Sequence, residues 1–500
     1  MNMPISSRRE LAWRRPAAYA RRLGTGSPPA RRLYFIDLPL LLLSMGLLTW
    51  ILPTDIMLFL AGLAGGLAGV YTLWDIVIWR GPIRFSHIFC VANTVGYGLG
   101  VVNSWLTIQR GDMSLAAYFN RDTQSVAQAM AAVLISSAVL YSLGELYESP
   151  VFGQNFTLQL DNRAPAFIFA GMVVILVGVA TGKLGYMGIS AENGQVGFFG
   201  GLLGWLRPTL FAFTCIAFLQ WRQSLLKWVL GATMALQFLL AVPTGRRNIV
   251  YFVLLAVIAT RFSNFKLKGS VLRKAFYAAI LAALIGIGAV TFYYLRAAAW
   301  GKKNPSLADR ISLAWDLYES GNTGKVNRDF AQNLHGRTFV LGYVSDLLDA
   351  SFRMQPAKGA DAWHEFELAI PSALWANKGE FLYNEESIAN TQFHFAYSDE
   401  ANSVYSAGAL DFGIWGMIIY PILLTLLFRL MAEFVRANLP EVVSTLVILA
   451  LLFNAIMTED GLSGRFVAVR DSLLFSALLW LFFKMPAFSM SHQPRRAISG

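Results

Sequence analysis

Apolar runs of about 20 residues recur along most of this 500-residue chain, and a helix of that length spans the hydrocarbon core of a bilayer. Hydrophobic residues make up 56% of the chain and charged residues 14%, whereas roughly a quarter of the residues in an average soluble domain are charged. The pattern predicts an all-α polytopic membrane protein, and no nucleic-acid partner is expected.

About twelve membrane helices are predicted from the length of these runs. They lie near residues 34–52, 56–78, 86–107, 125–145, 164–186, 203–221, 225–243, 248–261, 274–297, 409–429, 441–457 and 471–485. The sixth is interrupted by Arg207-Pro208, and the eighth is short. The chain is thereby divided into a basic tail (1–33), helices 1–9 (34–299), a large loop (300–408), helices 10–12 (409–486) and a C-terminal tail (487–500).

The distribution of Lys and Arg predicts which side each loop faces, because short cytoplasmic loops are rich in both. Eight arginines and a single acidic residue, Glu10, precede the first span, which places the N-terminus in the cytoplasm. Alternate connections are also basic, whereas the 146–163 connection, with Glu145 and Glu148 at its start, departs from the pattern. Both termini are then cytoplasmic, the first span is a signal anchor, and the loop 300–408 lies outside.

The loop 300–408 carries much of the polar content of the chain. It contains segments with apolar residues at helical spacing, such as SLADRISLAWDLYES, so it is predicted to form a helical cap on the outer side. A transporter has no need of such a cap, whereas an enzyme that acts on a lipid-borne substrate at the outer face does.

Several arginines fall on the outer side, where the charge bias disfavours them. They are Arg246 and Arg247 between helices 7 and 8, Arg296 at the end of helix 9, and Arg465 and Arg470 in the last outer loop. Guanidinium groups bind phosphate oxygens through two parallel hydrogen bonds. The pattern predicts a site for a polyanion at this level.

Simpler interpretations of these arginines stay open. Arg246 and Arg247 can cap a helix end and contact anionic lipid headgroups, and Arg470 can form an ion pair with Asp471. Arg296 is harder to explain in this way, because charge inside a membrane is usually functional or paired.

Neither a metal nor another cofactor is expected. The two cysteines, Cys90 and Cys215, lie in different spans, and no His-x-x-x-His or Asp-x-Asp spacing occurs. Glycines in the AGLAGGLAG run at 61–69 have the spacing found where membrane helices pack closely. In an apolar segment, this spacing indicates helix packing far more often than a phosphate-binding loop.

A second informative stretch begins with AIPSALWANKGEFLYNEESIAN and continues with SDEANSVYSAGALDFGIWGM. It contains a proline-to-lysine element with Pro371, Leu374 and Lys378, then Glu400-Ala401-Asn402, and then Gly413-x-x-Gly416 at the start of a span. In this order the chain resembles the Wzy-type repeat-unit polysaccharide (O-antigen) polymerases and, more distantly, the O-antigen ligases. The resemblance covers about residues 205–430.

The resemblance implies a metal-independent glycosyltransferase of the membrane-embedded C-type architecture in a bacterial inner membrane. Its substrate would be an undecaprenyl-diphosphate-linked oligosaccharide, polymerised at the periplasmic face for O-antigen or exopolysaccharide, and its partners would include inner-membrane lipids and possible chain-length regulators. The arginines would stabilise the charge on the departing diphosphate, with Lys378 and Asn402 among the substrate-binding residues.

The acceptor hydroxyl requires a general base. Related ligases have a histidine just before the Asn, whereas this chain has Asp399 and Glu400 there. Glu400 is therefore the first candidate and His335 the second, with His364 and His394 as further histidines of the loop. Aromatic residues suit either sugar stacking or core packing, namely Trp363, Trp375, Tyr383, Phe393, Phe395, Tyr397 and Tyr405.

Two other functions are compatible with the sequence. A lipid-linked glycan flippase or transporter would have a similar number of spans. Such folds usually consist of paired halves, whereas here the cap divides the chain unequally into nine spans before it and three after it. An O-antigen ligase that passes the glycan to lipid A core differs only in its acceptor.

Overall fold

The computed structural model describes most of the chain between residues 33 and 484. The described residues are 33–79, 81–108, 122–152, 156–160, 163–181, 198–242, 246–263, 283, 286–288, 290–292, 294–295, 307–320, 341–371, 374–375, 377, 383–397 and 402–484. Within these ranges the regular structure is helical, and one isolated antiparallel bridge joins Ile83 and Phe152.

Sixteen α-helices are numbered here in chain order. They are α1 (Leu38–Ile51), α2 (Asp55–Trp74), α3 (Phe85–Ile108), α4 (Thr123–Tyr147), α5 (Arg163–Ala180), α6 (Phe198–Gln220), α7 (Ser224–Ala241), α8 (Arg246–Ala259), α9 (Leu307–Glu319), α10 (Leu341–Arg353), α11 (Ala360–Ala369), α12 (Glu385–Phe393), α13 (Val404–Phe412), α14 (Ile414–Asn438), α15 (Glu441–Ile456) and α16 (Leu462–Lys484). Short π-helical turns precede α1 and follow α2.

Nine helices of the described part are long and apolar enough to cross a membrane, namely α1 to α7, α14 and α16. Two shorter apolar helices cover Ile249–Phe262 and Glu441–Ile456. The protein is therefore a polytopic helical membrane protein, as the sequence predicts. Most of the predicted ninth span, 274–297, lies outside the described residues.

Three details of the predicted spans were wrong, namely one interruption and the bounds of two spans. The predicted interruption at Arg207-Pro208 is absent, because α6 continues through Pro208, and the Arg207 guanidinium lies 5.9 Å from the centre of the Phe252 ring of α8. The tenth span begins at Ile414 and runs to Asn438. The twelfth begins at Leu462, nine residues before the predicted start at 471, because contacts with the cap accommodate its charged first turns.

Small residues allow α2 and α3 to pack closely, as the glycine spacing predicted. A Cβ atom at Gly62 would lie 2.9 Å from the carbonyl oxygen of Gly98 on α3, and one at Gly66 would lie 3.2 Å from Leu99. The distance from Gly62 to a backbone oxygen is too short for a side chain, so this approach requires glycine, whereas at Gly66 the Leu99 side chain would have to shift.

The acidic residues that depart from the charge pattern have internal partners. The Glu148 carboxylate accepts hydrogen bonds from the first backbone amides of α3, at 2.6 Å from Phe85 N and 3.0 Å from Ser86 N. Arg84 donates from Nε to the Glu148 carbonyl oxygen at 3.0 Å and pairs with Glu145. These carboxylates therefore cap a helix and neutralise an arginine, which explains their place in a connection predicted to be basic.

The Gly413-x-x-Gly416 step has a structural explanation. Gly413 has φ +60°, ψ −140°, which suits glycine far better than other residues, and it reverses the chain between α13 and α14. Gly416 then faces Gly408 of α13, where a Cβ atom at Gly408 would lie 2.6 Å from the Gly416 carbonyl oxygen. The two helices consequently form a hairpin whose backbones touch.

We expect Gly416→Ala to lower the unfolding temperature of the detergent-solubilised protein, because the new methyl group collides with the Gly408 carbonyl oxygen and overpacking typically costs about 1–3 kcal/mol. The matched control is Gly204→Ala in α6, where an added Cβ atom has no neighbour within 4 Å. Intrinsic tryptophan fluorescence during heating measures both. Equal unfolding temperatures in the two variants would contradict the close contact.

Candidate functional site

Four parts of the fold meet at the connection between α15 and α16. The Tyr251 hydroxyl of α8 lies 3.0 Å from Thr458 Oγ1 and accepts a hydrogen bond from the Thr458 amide at 3.3 Å. Gly96 of α3 packs against the Thr458 side chain, and Gly461 packs against Asn402, which precedes α13. We call this region the α15–α16 site and define it by Glu365, Asn402, Asp460, Gly461 and Arg465.

Arg465 is the most unusual residue of the site. Its side chain is fully buried in the first turn of α16. Nη2 donates to the Met457 carbonyl oxygen, and Nε lies 3.9 Å from Asp460 Oδ2, which is beyond hydrogen-bond distance. Nε and Nη1 have no hydrogen-bond partner among the described residues. Because a buried charge is costly unless it is paired and hydrogen-bonded, this cation is suited to receive an anion.

The neighbouring residue Gly464 makes room for the Asp460 carboxylate beside Arg465. Gly464 allows the Asp460 carboxylate to lie directly against the first turn of α16, where a Cβ atom would collide with both carboxylate oxygens. Burial raises the pKa of the Asp460 carboxyl, and the nearby Arg465 opposes that rise. Gly464 thus fixes the position of the Asp460 carboxylate. Arg465 keeps two donor atoms, Nε and Nη1, that the described residues do not use.

The cap helix α11 lies along the first turns of α16. Its N-terminus is capped by the Asp411 carboxylate, which accepts from Asp361 N at 3.0 Å and Ala362 N at 2.9 Å. Its C-terminus receives a hydrogen bond from Arg470 Nη1 to the Ala369 carbonyl oxygen at 2.8 Å. A carboxylate at the N-terminus and a cation at the C-terminus both complement the helix dipole, so α11 is held firmly at each end.

Arg470 therefore already has protein partners. Besides the carbonyl of α11, its Nη2 lies 2.7 Å from Asp471 Oδ1 and its Nε donates to the same oxygen at 2.8 Å. These contacts agree with the simpler ion-pair interpretation. A role in binding diphosphate stays a prediction for this residue.

Asn402 occupies a polar but incompletely bonded position. Its Oδ1 atom is buried and has no hydrogen-bond partner in the described part of the chain. The next residue, Ser403, caps α13 in a reciprocal pair with Ser406, and the Tyr97 hydroxyl donates to Ser403 Oγ at 3.1 Å. The backbone around Asn402 is thus fixed while its amide oxygen receives no hydrogen bond from the described residues.

Buried carboxyl groups form the cap side of the site. Asp361 and Glu365 lie four residues apart on α11, and Glu385 and Glu386 begin α12. Burial and then the neighbouring Glu365 raise the pKa of Asp361 well above its ordinary value, and burial followed by Asp361 does the same to the pKa of Glu385. Glu365 Oε2 accepts a hydrogen bond from Ser463 N at 2.6 Å.

These acids were missed by the sequence reasoning, although the i, i+4 spacing of Asp361 and Glu365 was a usable signal, since it puts them on one helix face. Among the described residues, no group of three or more His, Cys, Asp or Glu side chains is placed to hold a metal ion.

The predicted site residues fall into three groups. Arg465, Arg470 and Asn402 are described and lie around α11 and the start of α16. Glu400, His335, Arg296 and Lys378 lie outside the described residues. For Arg246 and Arg247 only the backbone is described. They begin α8, and position 247 lies one turn before Tyr251, the residue that contacts Thr458.

The predicted aromatic residues of the loop differ in burial, and two of its histidines have described surroundings. Phe393 and Tyr405 belong to the core, whereas Trp363 and Tyr383 are each 60% exposed. His364 lies 3.4 Å from Glu367 Oε2. His394 has a left-handed backbone, φ +57°, and lines an open cleft of about 630 Å³ with α10.

Comparison with known proteins gives no match to this chain, whether with protein-family models, with curated proteins or with solved structures. The resemblance to repeat-unit polymerases therefore stays a prediction that rests on its sequence motifs.

We expect Arg465→Met to lower the unfolding temperature only slightly, because Arg465 and Asp460 lie 3.9 Å apart without a hydrogen bond and the buried Asp460 carboxyl, whose pKa is already raised, can bind a proton when the arginine is removed. The control is Arg84→Met, which removes a buried arginine with full bonding to Glu145 and Glu148. Breaking such a pair costs about 3–5 kcal/mol, so this variant should unfold at a clearly lower temperature. A similar loss in both variants would show that Arg465 is a structural residue.

Proposed function

We propose that this protein is a polysaccharide polymerase of the bacterial inner membrane, a metal-independent glycosyltransferase. It transfers an undecaprenyl-diphosphate-linked glycan onto a lipid-linked oligosaccharide repeat unit at the periplasmic face, in O-antigen or exopolysaccharide synthesis. The observation that carries the proposal is the fully buried Arg465, whose Nε and Nη1 lack hydrogen-bond partners in the described chain.

The position of Arg465 suits a lipid diphosphate better than a soluble anion. It lies in the first turn of α16, a helix apolar enough to cross the membrane, so a headgroup bound there leaves its polyprenyl chain beside the bilayer. When the sugar leaves, negative charge develops on the diphosphate, and fixed guanidinium donors stabilise it most at that moment.

The proposed arrangement has about twelve membrane helices of the C-type glycosyltransferase architecture, with a periplasmic cap between helices 9 and 10 and both termini in the cytoplasm. In this orientation the α15–α16 site and the start of α8 share the outer side. Arg246, Arg247 and Arg296 would then add positive charge near the same headgroup.

The alternative function is transport, by a flippase or another transporter, instead of catalysis. Alternating access requires parts of the fold to move against each other around the bound substrate. Here α11 is bonded to α13 through Asp411 and to α16 through Arg470. This fixed bridge across the site favours an enzyme with a preorganised centre over a transporter.

The proposal predicts a glycan ladder when the purified protein in vesicles receives the undecaprenyl-diphosphate-linked repeat unit isolated from a host that lacks this gene. Arg465→Lys should slow chain growth by about 10²–10³-fold, the usual cost of removing one charge-stabilising donor, because an ammonium group cannot reproduce the guanidinium fork. Gel electrophoresis of the labelled glycan measures both.

Arg353→Lys is the matched control, since the Arg353 side chain is 74% exposed and pairs with Asp349. It should leave the ladder unchanged. Transfer only to lipid A core would indicate a ligase, and movement of intact labelled lipid across vesicles without transfer would indicate a flippase. Full activity of Arg465→Lys would contradict the role given to this arginine.

A further inference from the structure

We propose that Glu365 is the general base of the transfer reaction, the role that the sequence motifs assign to Glu400. The inference rests on the proposed function and deepens it by naming the group that receives the proton. Glu365 lies on α11, on the face that packs against α16, and is 3% exposed. It contacts the same short stretch of chain that holds the buried arginine.

The position of Glu365 links the three unusual features of the α15–α16 site. Its Oε2 accepts a hydrogen bond from Ser463 N at 2.6 Å, and Ser463 is two residues before Arg465. The same oxygen lies 3.9 Å from the Cβ position of Gly461, which packs against Asn402. A sugar hydroxyl that approaches Asn402 therefore meets this carboxylate, while the diphosphate of the donor lies at Arg465.

The charges around Glu365 favour a base. Asp460 faces it from the α15–α16 connection, Glu385 and Glu386 from α12, and Asp361 from its own helix. Burial raises the pKa of Glu365, with Asp460 and Glu386 adding to the rise and the Ser463 hydrogen bond opposing it. A carboxylate with a raised pKa is a stronger base and still ionised above that pKa, which is the condition for efficient proton transfer.

The step balances without a further reactant. The acceptor hydroxyl oxygen forms a bond to the anomeric carbon of the donor glycan as its proton moves to a Glu365 carboxylate oxygen. The bond between that carbon and the diphosphate oxygen breaks, and its electron pair leaves with undecaprenyl diphosphate next to Arg465. Glu365 then releases the proton to water and returns to its carboxylate form.

Glu365→Gln distinguishes proton transfer from the structural hydrogen bond that Glu365 accepts from Ser463 N. Glutamine keeps an oxygen that accepts from Ser463 N but cannot take a proton at neutral pH. We expect transfer by the purified variant to fall by a hundredfold or more, the usual scale for a general base. In the wild type the rate should rise with pH through the raised pKa of Glu365, and this acidic limb should disappear in the variant.

Glu367→Gln is the control on the same helix, since Glu367 lies beside His364, and it should keep both the rate and the acidic limb. Normal turnover of Glu365→Gln, or a slow variant with an unchanged limb, would overturn the inference. So would a limb that Glu400→Gln removes and Glu365→Gln keeps. Absence of transfer by the wild type would instead reject the proposed function itself.

Glu365→Asp keeps the inference testable if the glutamine variant does not fold. The shorter carboxylate can still accept a proton but from a displaced position, so transfer should be slower and the midpoint of the acidic limb should shift. An identical midpoint in wild type and Glu365→Asp would show that another group titrates.

Discussion

The structure depends on one constraint, which is that a hydrocarbon environment provides no hydrogen-bond partners for polar groups. Several charged and polar side chains in the described part of the chain satisfy it through internal contacts. Glu148 caps α3, Asp411 caps α11, and the Tyr34 hydroxyl donates to Asp75 at 2.6 Å. Arg465 departs from it, since its fully buried guanidinium leaves Nε and Nη1 without a hydrogen-bond partner among the described residues, and so do the buried carboxyl groups of Asp361 and Glu385. A buried guanidinium with unused donors is what the proposed anion site requires.

In the proposed enzyme, the cap would contribute by fixing the geometry of the site. Asp411 and Arg470 hold the two ends of α11, so the helix cannot slide along α16 without breaking hydrogen bonds at both ends. Glu365 is thereby held against the amide of Ser463. Donors and acceptors that are fixed before reaction need no reorganisation as charge develops. The same contacts explain why charged residues are tolerated at the start of a membrane helix.

Much of the fold follows from the sequence alone. Run length predicts the membrane helices, and the glycine spacing at 61–69 predicts close helix packing, which the structure shows between α2 and α3. The start of α16 at Leu462 was not predicted, because Arg465, Arg470 and Asp471 interrupt the apolar run on which the predicted start at 471 rested. Their accommodation depends on tertiary contacts, such as the bond from Arg470 to Ala369, 101 residues away.

The site was only partly predictable for the same reason. Topology and motif predicted Arg465 and Asn402 as site residues, and the structure places both beside the α15–α16 connection. Asp361, Glu365 and Glu385 lie in a polar loop, where acids are normally exposed, and their burial appears only once α11 packs against α12, α13 and α16.

The most direct measurement is an electron cryo-microscopy structure of the protein in a lipid nanodisc saturated with undecaprenyl diphosphate. The diphosphate oxygens should lie within hydrogen-bond distance of Arg465 Nε and Nη1, with the polyprenyl chain along α16. A diphosphate bound elsewhere, with Arg465 still unbonded and buried, would contradict the assignment of this arginine as the carrier-binding residue.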